Sequence, residues 1–216
     1  MDQLDVIKER LQPLNEALPS IFPEARERAL SSLEQIGTTR LRHKALYANN
    51  FLAAAQVVFQ EDTMPDKWEL TDGANCLHLR DTETGLTVRV LKEFEFTGDV
   101  PPAGNNQHRI KTWTQQPLTG FAMEPLFKAV KLEDISLVLT WKEIEAEDRF
   151  LCVVHQPLEA GSFPEGAPSL TVLEMPFAIS SPEYDELKYD GTKPRQRVVP
   201  RKNLVVTERA GIGQEE

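Results

Sequence analysis

The sequence predicts an α+β protein: two or three N-terminal helices packed against a mainly antiparallel sheet of about five to seven strands, with a polar C-terminal tail. Three observations carry that expectation. Up to residue 62, apolar residues recur at helical intervals. After Pro65, apolar and polar residues alternate instead, the period of a half-buried strand. The alternating segments also come in neighbouring pairs joined by turn formers, which favours hairpins over a doubly wound parallel sheet. The organisation expected is a helical region over 1–62, a β-rich region of the same domain over 63–180, and a polar, partly basic tail over 181–216.

The first helix is expected over residues 2–18, where Leu4, Ile7, Leu11, Leu14 and Leu18 follow a 3-4-3-4 spacing that draws one apolar stripe. The same spacing would serve as an oligomer seam. Packing on the chain's own domain is the plainer reading, because two heptads are too few to define a coiled coil. Pro13 removes a backbone donor and is expected to kink or split this helix. A second helix is expected over 23–36, opening on Pro23 and Glu24 and stopping at Gly37. Thr38 or Thr39 would cap a third helix running to about Gln60, with Leu41, Ala45, Leu52, Ala55 and Val57 or Val58 turned inward.

Strands are expected over 75–80 and 86–92, joined by the turn formers Asp81 to Gly85. In the first, Leu77 and Leu79 alternate with His78 and Arg80; in the second, Leu86, Val88 and Val90 alternate with Thr87 and Arg89. Residues 97–107 are rich in Pro, Gly and Asn and read as a long loop. Residues 108–114 alternate again and suit a strand or an edge, and 124–130 suit a short helix. The clearest hairpin pairs 135–141 with 149–155 across a polar, acidic link. A Pro/Gly-rich loop over 157–168 leads to a further strand at 169–173.

The 216 residues are about 40% hydrophobic, enough for a core without staples, and two cysteines are too few for a disulfide scaffold. The acidic N-terminus lacks the basic and apolar regions of a signal peptide, and no apolar run approaches the roughly 20 residues of a membrane span. A cytoplasmic protein without membrane contact is expected. The net charge of −10 is segregated. Residues 1–60 hold seven basic and seven acidic side chains, 61–190 hold eleven and twenty-four, and 191–216 hold six and three. So acidic a middle would repel a phosphate backbone along most of its surface.

Motifs for catalysis are missing. The sequence contains no phosphate-binding loop of the Gly-x-x-x-x-Gly-Lys-Ser/Thr type, no Gly-x-Gly-x-x-Gly turn, no Gly-x-Ser-x-Gly elbow and no His-Glu-x-x-His pair. Catalytic residues are not assigned, and no cofactor or metal is expected. Cys76, His78, Cys152 and His155 together would make a donor set that zinc accepts. However, Cys152 and His155 on one strand point to opposite faces, so two unrelated structural cysteines are the plainer reading. Glu186-Leu187-Lys188 has the Glu-x-Lys spacing of metal-dependent nucleases, and Glu133 and Asp134 precede a good strand; they support a metal-dependent hydrolase acting on nucleic acid as the alternative function.

Two basic patches are candidates for nucleic-acid or partner binding. One is Arg40, Arg42 and Lys44, beside His43. The other is Lys193, Arg195, Arg197, Arg201 and Lys202, with no acid between Gly191 and Thr207. Phe94, Phe96 and Trp113 flank the long loop, where core packing is expected of the two phenylalanines. The function expected is a non-enzymatic interaction or regulatory protein acting through a protein partner. Such a chain would suit one component of a bacterial defence, prophage or toxin–antitoxin module.

Overall fold

A computed structural model describes residues 3–71, 77–97, 100–118 and 131–179. Among these residues, three α-helices and one mixed, mostly antiparallel six-stranded sheet make up an α+β fold. Helix α1 spans Gln3–Gln35 and α2 spans Lys44–Val58, widening into a π-helical turn at Phe59–Thr63. Strands β1 (Trp68–Leu70), β2 (Leu77–Asp81) and β3 (Thr87–Lys92) follow. A short helix α3 (Gln107–Trp113) precedes β4 (Ser136–Ile144), β5 (Arg149–Pro157) and β6 (Ser169–Ala178). No described helix is long and apolar enough to cross a membrane.

The first two expected helices are one. Pro13, Pro19 and Pro23 all lie inside α1, which continues through them. An interior proline costs about 3 kcal/mol. Against three of them stand seven fully buried large side chains, Ile7, Leu11, Leu14, Leu18, Ile21, Phe22 and Leu33, at about 1.5–3 kcal/mol each. Burial against α2 and the sheet therefore keeps continuous a helix that local propensity would break. The stop at Gly37 is as expected. Gly37 adopts φ +70°, and its N–H and that of Thr38 reach back to the carbonyls of Glu34 and Leu33 at 2.9 and 3.0 Å, closing the last turn.

Helix α2 starts at Lys44 rather than at the threonines, and its N-cap His43 makes no side-chain capping bond. Its inward face is Tyr47, Phe51, Ala55 and Val58. Leu41 and Ala45 are exposed instead of buried. The rings set the phase: Phe51 stacks on Trp141 of β4 with centroids 4.0 Å apart, and Tyr47 meets the same indole edge-on at 6.4 Å.

The strands lie side by side in chain order. All neighbouring pairs are antiparallel except β3 and β4, which run parallel from Thr87↔Ser136 to Lys92↔Trp141. A tight turn cannot join parallel strands; the chain between them carries α3 across the sheet. The expected hairpin is β4–β5, and β6 runs to Ala178, longer than its alternation suggested, on the outer side of β5. Pro176 is tolerated because, among the described strands, β6 is an edge. The expected strand over 108–114 is α3, whose Ile110 and Trp113 are three apart and whose start is capped by Asn106, with Oδ1 accepting from Arg109 N–H at 3.1 Å.

One sheet face packs on α1 and α2 through Leu79, Val88, Leu139, Phe150 and Val154 in the main core. The opposite face is partly covered by α3 and the loops around it, through a smaller cluster of Val100, Ala103, Trp113, Val138 and Ala167. Both faces of β4 are thus covered, and residues 137–141 are all buried.

Candidate functional site

The second face of the sheet, away from the long helices, holds a cavity of about 630 Å³. Strand alternation that sends Leu77, Leu79, Val88 and Val90 into the main core sends His78, Thr87 and Arg89 the other way, and His78 and Arg89 stand opposite one another in the β2–β3 register. Helix α3 supplies His108 and Lys111 from across the cavity. Glu133, Asp134 and Ser136 close it on the β4 side.

Two glutamine side chains fix the chain after α3 to the sheet. Gln115 exchanges a pair of bonds with the backbone of Ser136, donating to its carbonyl at 2.7 Å and accepting from its N–H at 2.9 Å. Buried Gln156 accepts from Leu118 N–H at 2.9 Å and donates to the Gln116 carbonyl at 2.7 Å. Trp113, packed against Val138, anchors the helix itself. The cavity wall is therefore built from fixed parts.

Its charges are segregated, with Arg89 and Lys111 on β3 and α3 and Glu133 and Asp134 on the β4 side. Burial holds the His78 imidazole down to about 4, and the positive charge of Arg89, His108 and Arg109 pushes it the same way. His78 is neutral at pH 7. Its Nε2 is buried and, among the described residues, meets no hydrogen-bond partner; the same holds for Arg109 Nε. The Arg109 guanidinium lies over the Trp113 ring, 5.4 Å from its centroid. Of the two acids, Glu133 is held by Lys131 at 3.0 Å.

A second feature is an exposed aromatic cluster. Strand β3 ends at Lys92, so Phe94 and Phe96 lie beyond it and do not share a strand face in the core, contrary to expectation. With Phe163 from the loop before β6 they form three mutually contacting rings, with centroids 5.0–6.2 Å apart. Phe96 and Phe163 are 65% and 68% exposed. Glu95, between the two phenylalanines, pairs with Lys92 at 3.1 Å and Lys44 at 3.3 Å. A shallow groove beside these ions is lined by Leu41, which is 79% exposed, and by Tyr47 and Lys142.

The other candidates are placed as follows. Arg40 is committed to acids: it bonds Glu143 at 2.6 Å, pairs with Glu145 and lies over the Tyr47 ring. Arg42 is exposed, and Lys44 is paired with Glu95. Of the leucine stripe, Ile7, Leu11, Leu14 and Leu18 are fully buried in the chain's own core and Leu4 packs against it, so the spacing that would make an oligomer seam is filled by the sheet and α2. Cys152 lies in the helix-facing core, where burial pushes its thiol well up. His155 is on the other side, bonded to Thr140 at 3.0 Å and Ser169 at 3.3 Å. Among the described residues no three His, Cys, Asp or Glu side chains come together to hold a metal ion. Cys76, the short helix over 124–130, Glu186, Lys188 and the basic run Lys193, Arg195, Arg197, Arg201 and Lys202 lie outside the described residues.

The sequence marked Phe94, Phe96 and Trp113 beside the long loop but expected the phenylalanines in the core, and it did not mark the cavity. His108, Arg109 and Lys111 are a visible basic run, but only the fold-back of α3 sets them opposite His78 and Arg89. Phe163 did carry a signal, a lone large aromatic among turn formers, Gly161-Ser162-Phe163-Pro164-Glu165-Gly166. Comparison with known proteins finds no matching family model, no matching curated protein and no matching solved structure.

Proposed function

We propose that the protein is a non-enzymatic interaction or regulatory protein whose protein partner docks on the Phe94–Phe96–Phe163 cluster. The observation that carries this reading is the exposure of Phe96 and Phe163 in a contiguous three-ring patch. Full burial of a phenylalanine contributes about 1.5–3 kcal/mol, which the free chain forgoes at both positions. Such a patch rimmed by charge, here Lys44, Lys92 and Glu95, has the make-up of an interface centre: aromatic anchors within a polar rim.

The test is a paired capture experiment with the full chain and its Phe96→Ser/Phe163→Ser double variant. Both side chains are largely exposed, so the thermal midpoint of the variant should stay within about 2 °C of the parent. The parent should retain a stoichiometric protein partner, and the variant should lose at least about tenfold of it, the scale of one central anchor. Equal retention by a folded variant would remove the patch from the interface.

A further inference from the structure

We propose that the cavity between β2, β3 and α3 binds a small molecule carrying an oxyanion, with the anionic group seated among His78, Arg89, His108 and Lys111. This inference does not rest on the aromatic docking surface. It starts from an imbalance. The chain carries a net charge of −10, yet β2 and β3 bring His78 and Arg89, and α3 brings His108 and Lys111, to facing sides of this cavity with Arg109 next to them, while its acids, Glu133 and Asp134, are confined to the β4 side. Like charges held together oppose folding. Burial first, and then the charge of Arg89, His108 and Arg109, lowers the proton affinity of His78. Acids at Glu133 and Asp134 answer that charge on one side only, and Glu133 is shared with Lys131.

Shape and chemistry agree with a ligand. At about 630 Å³ the cavity falls in the range of about 300–1,000 Å³ of small-molecule sites. Its floor is the fixed sheet, where the Ser136 hydroxyl lines the cavity, while those of Thr87 and Thr112 donate to the Ile135 and Arg109 carbonyls. The buried Nε2 of His78 lacks a partner among the described residues, and a buried polar atom without one is a cost that a bound anion would relieve, with His78 taking up a proton as a donor. Glu133 and Asp134 accept only, so the ligand that completes the site carries donors, hydroxyl or amino groups, on the side away from its anion. A phosphorylated polyol and a hydroxylated carboxylate share this chemistry.

The experiment is isothermal titration of the full chain at constant ionic strength with inorganic phosphate, ribose 5-phosphate and citrate. Saturable binding is expected, with ribose 5-phosphate tighter than inorganic phosphate if the source is a phosphate ester, and citrate tightest if it is a carboxylate. Lys111 is exposed, so Lys111→Gln should fold as the parent does and weaken binding by at least about tenfold, the loss of one charge-assisted hydrogen bond. His78→Gln should weaken it to a similar degree. Lys142→Gln, beside the groove at the opposite end of β4, should leave binding unchanged. No saturable binding of any of the three probes would overturn the proposal, as would binding that both cavity variants leave intact.

Discussion

At the scale of single residues, one buried carboxylate and one half-buried imidazole decide most. Glu143, only 6% exposed, accepts from Arg26 at 3.0 Å, from Arg40 at 2.6 Å and from the Tyr47 hydroxyl. One carboxylate thus ties α1, the α1–α2 connection and α2 to the end of β4. Glu143→Gln removes the charge that two arginines and a phenol face, and should lower stability by about 2–3 kcal/mol, read as a reduced urea midpoint at pH 7; a change below about 0.5 kcal/mol would show the network to be incidental. His78 acts through pH. Its folded value near 4 lies below the usual 6.5, so between these values the unfolded chain binds more protons and stability falls as pH drops. After allowance for screening of a half-buried ring, the effect amounts to about 1–2 kcal/mol. The parent should therefore lose more stability than His78→Gln between pH 7 and pH 4.5, and parallel curves would contradict the account.

At the scale of elements, α1 is where local and tertiary signals conflict. The apolar stripe of Leu4 to Leu18 was legible, and so was a helical stretch over 23–36 that stops at Gly37. What was not legible was that one helix carries both, because proline rules act locally while the sheet that holds the helix comes later in the chain. The β2–β3 and β4–β5 hairpins were legible because alternation and turn formers are both local. The parallel β3–β4 pair was not, since nothing in either strand records where a long connection returns. For α3, alternation outweighed the i, i+3 pair Ile110 and Trp113 and the Asn106 cap. Two substitutions probe α1. Pro13→Ala restores a helical N–H and should raise the thermal midpoint by several degrees, since about 2–3 kcal/mol at about 2–4 °C per kcal/mol is at stake. Leu11→Asp buries a charge in the main core and should unfold the chain globally. A folded monomer replacing a dimer would instead make the stripe a seam.

At the scale of the whole molecule, the sheet separates two environments. The helix face is a dry apolar core. The other face is a thinner layer of α3 and loops, with a cavity lined by charged side chains of both signs and a three-ring cluster, two rings of it exposed, at its edge. Neither feature helps the isolated chain to fold, and both suit a molecule completed by something else. The central claim is that this is a protein's partner. The most direct measurement is affinity purification from the native host at physiological salt, followed by mass spectrometry and the 260/280 nm absorbance ratio. The account predicts one protein at near-equal stoichiometry and a ratio typical of protein alone. A high ratio that falls on nuclease treatment, with no protein retained, would contradict it.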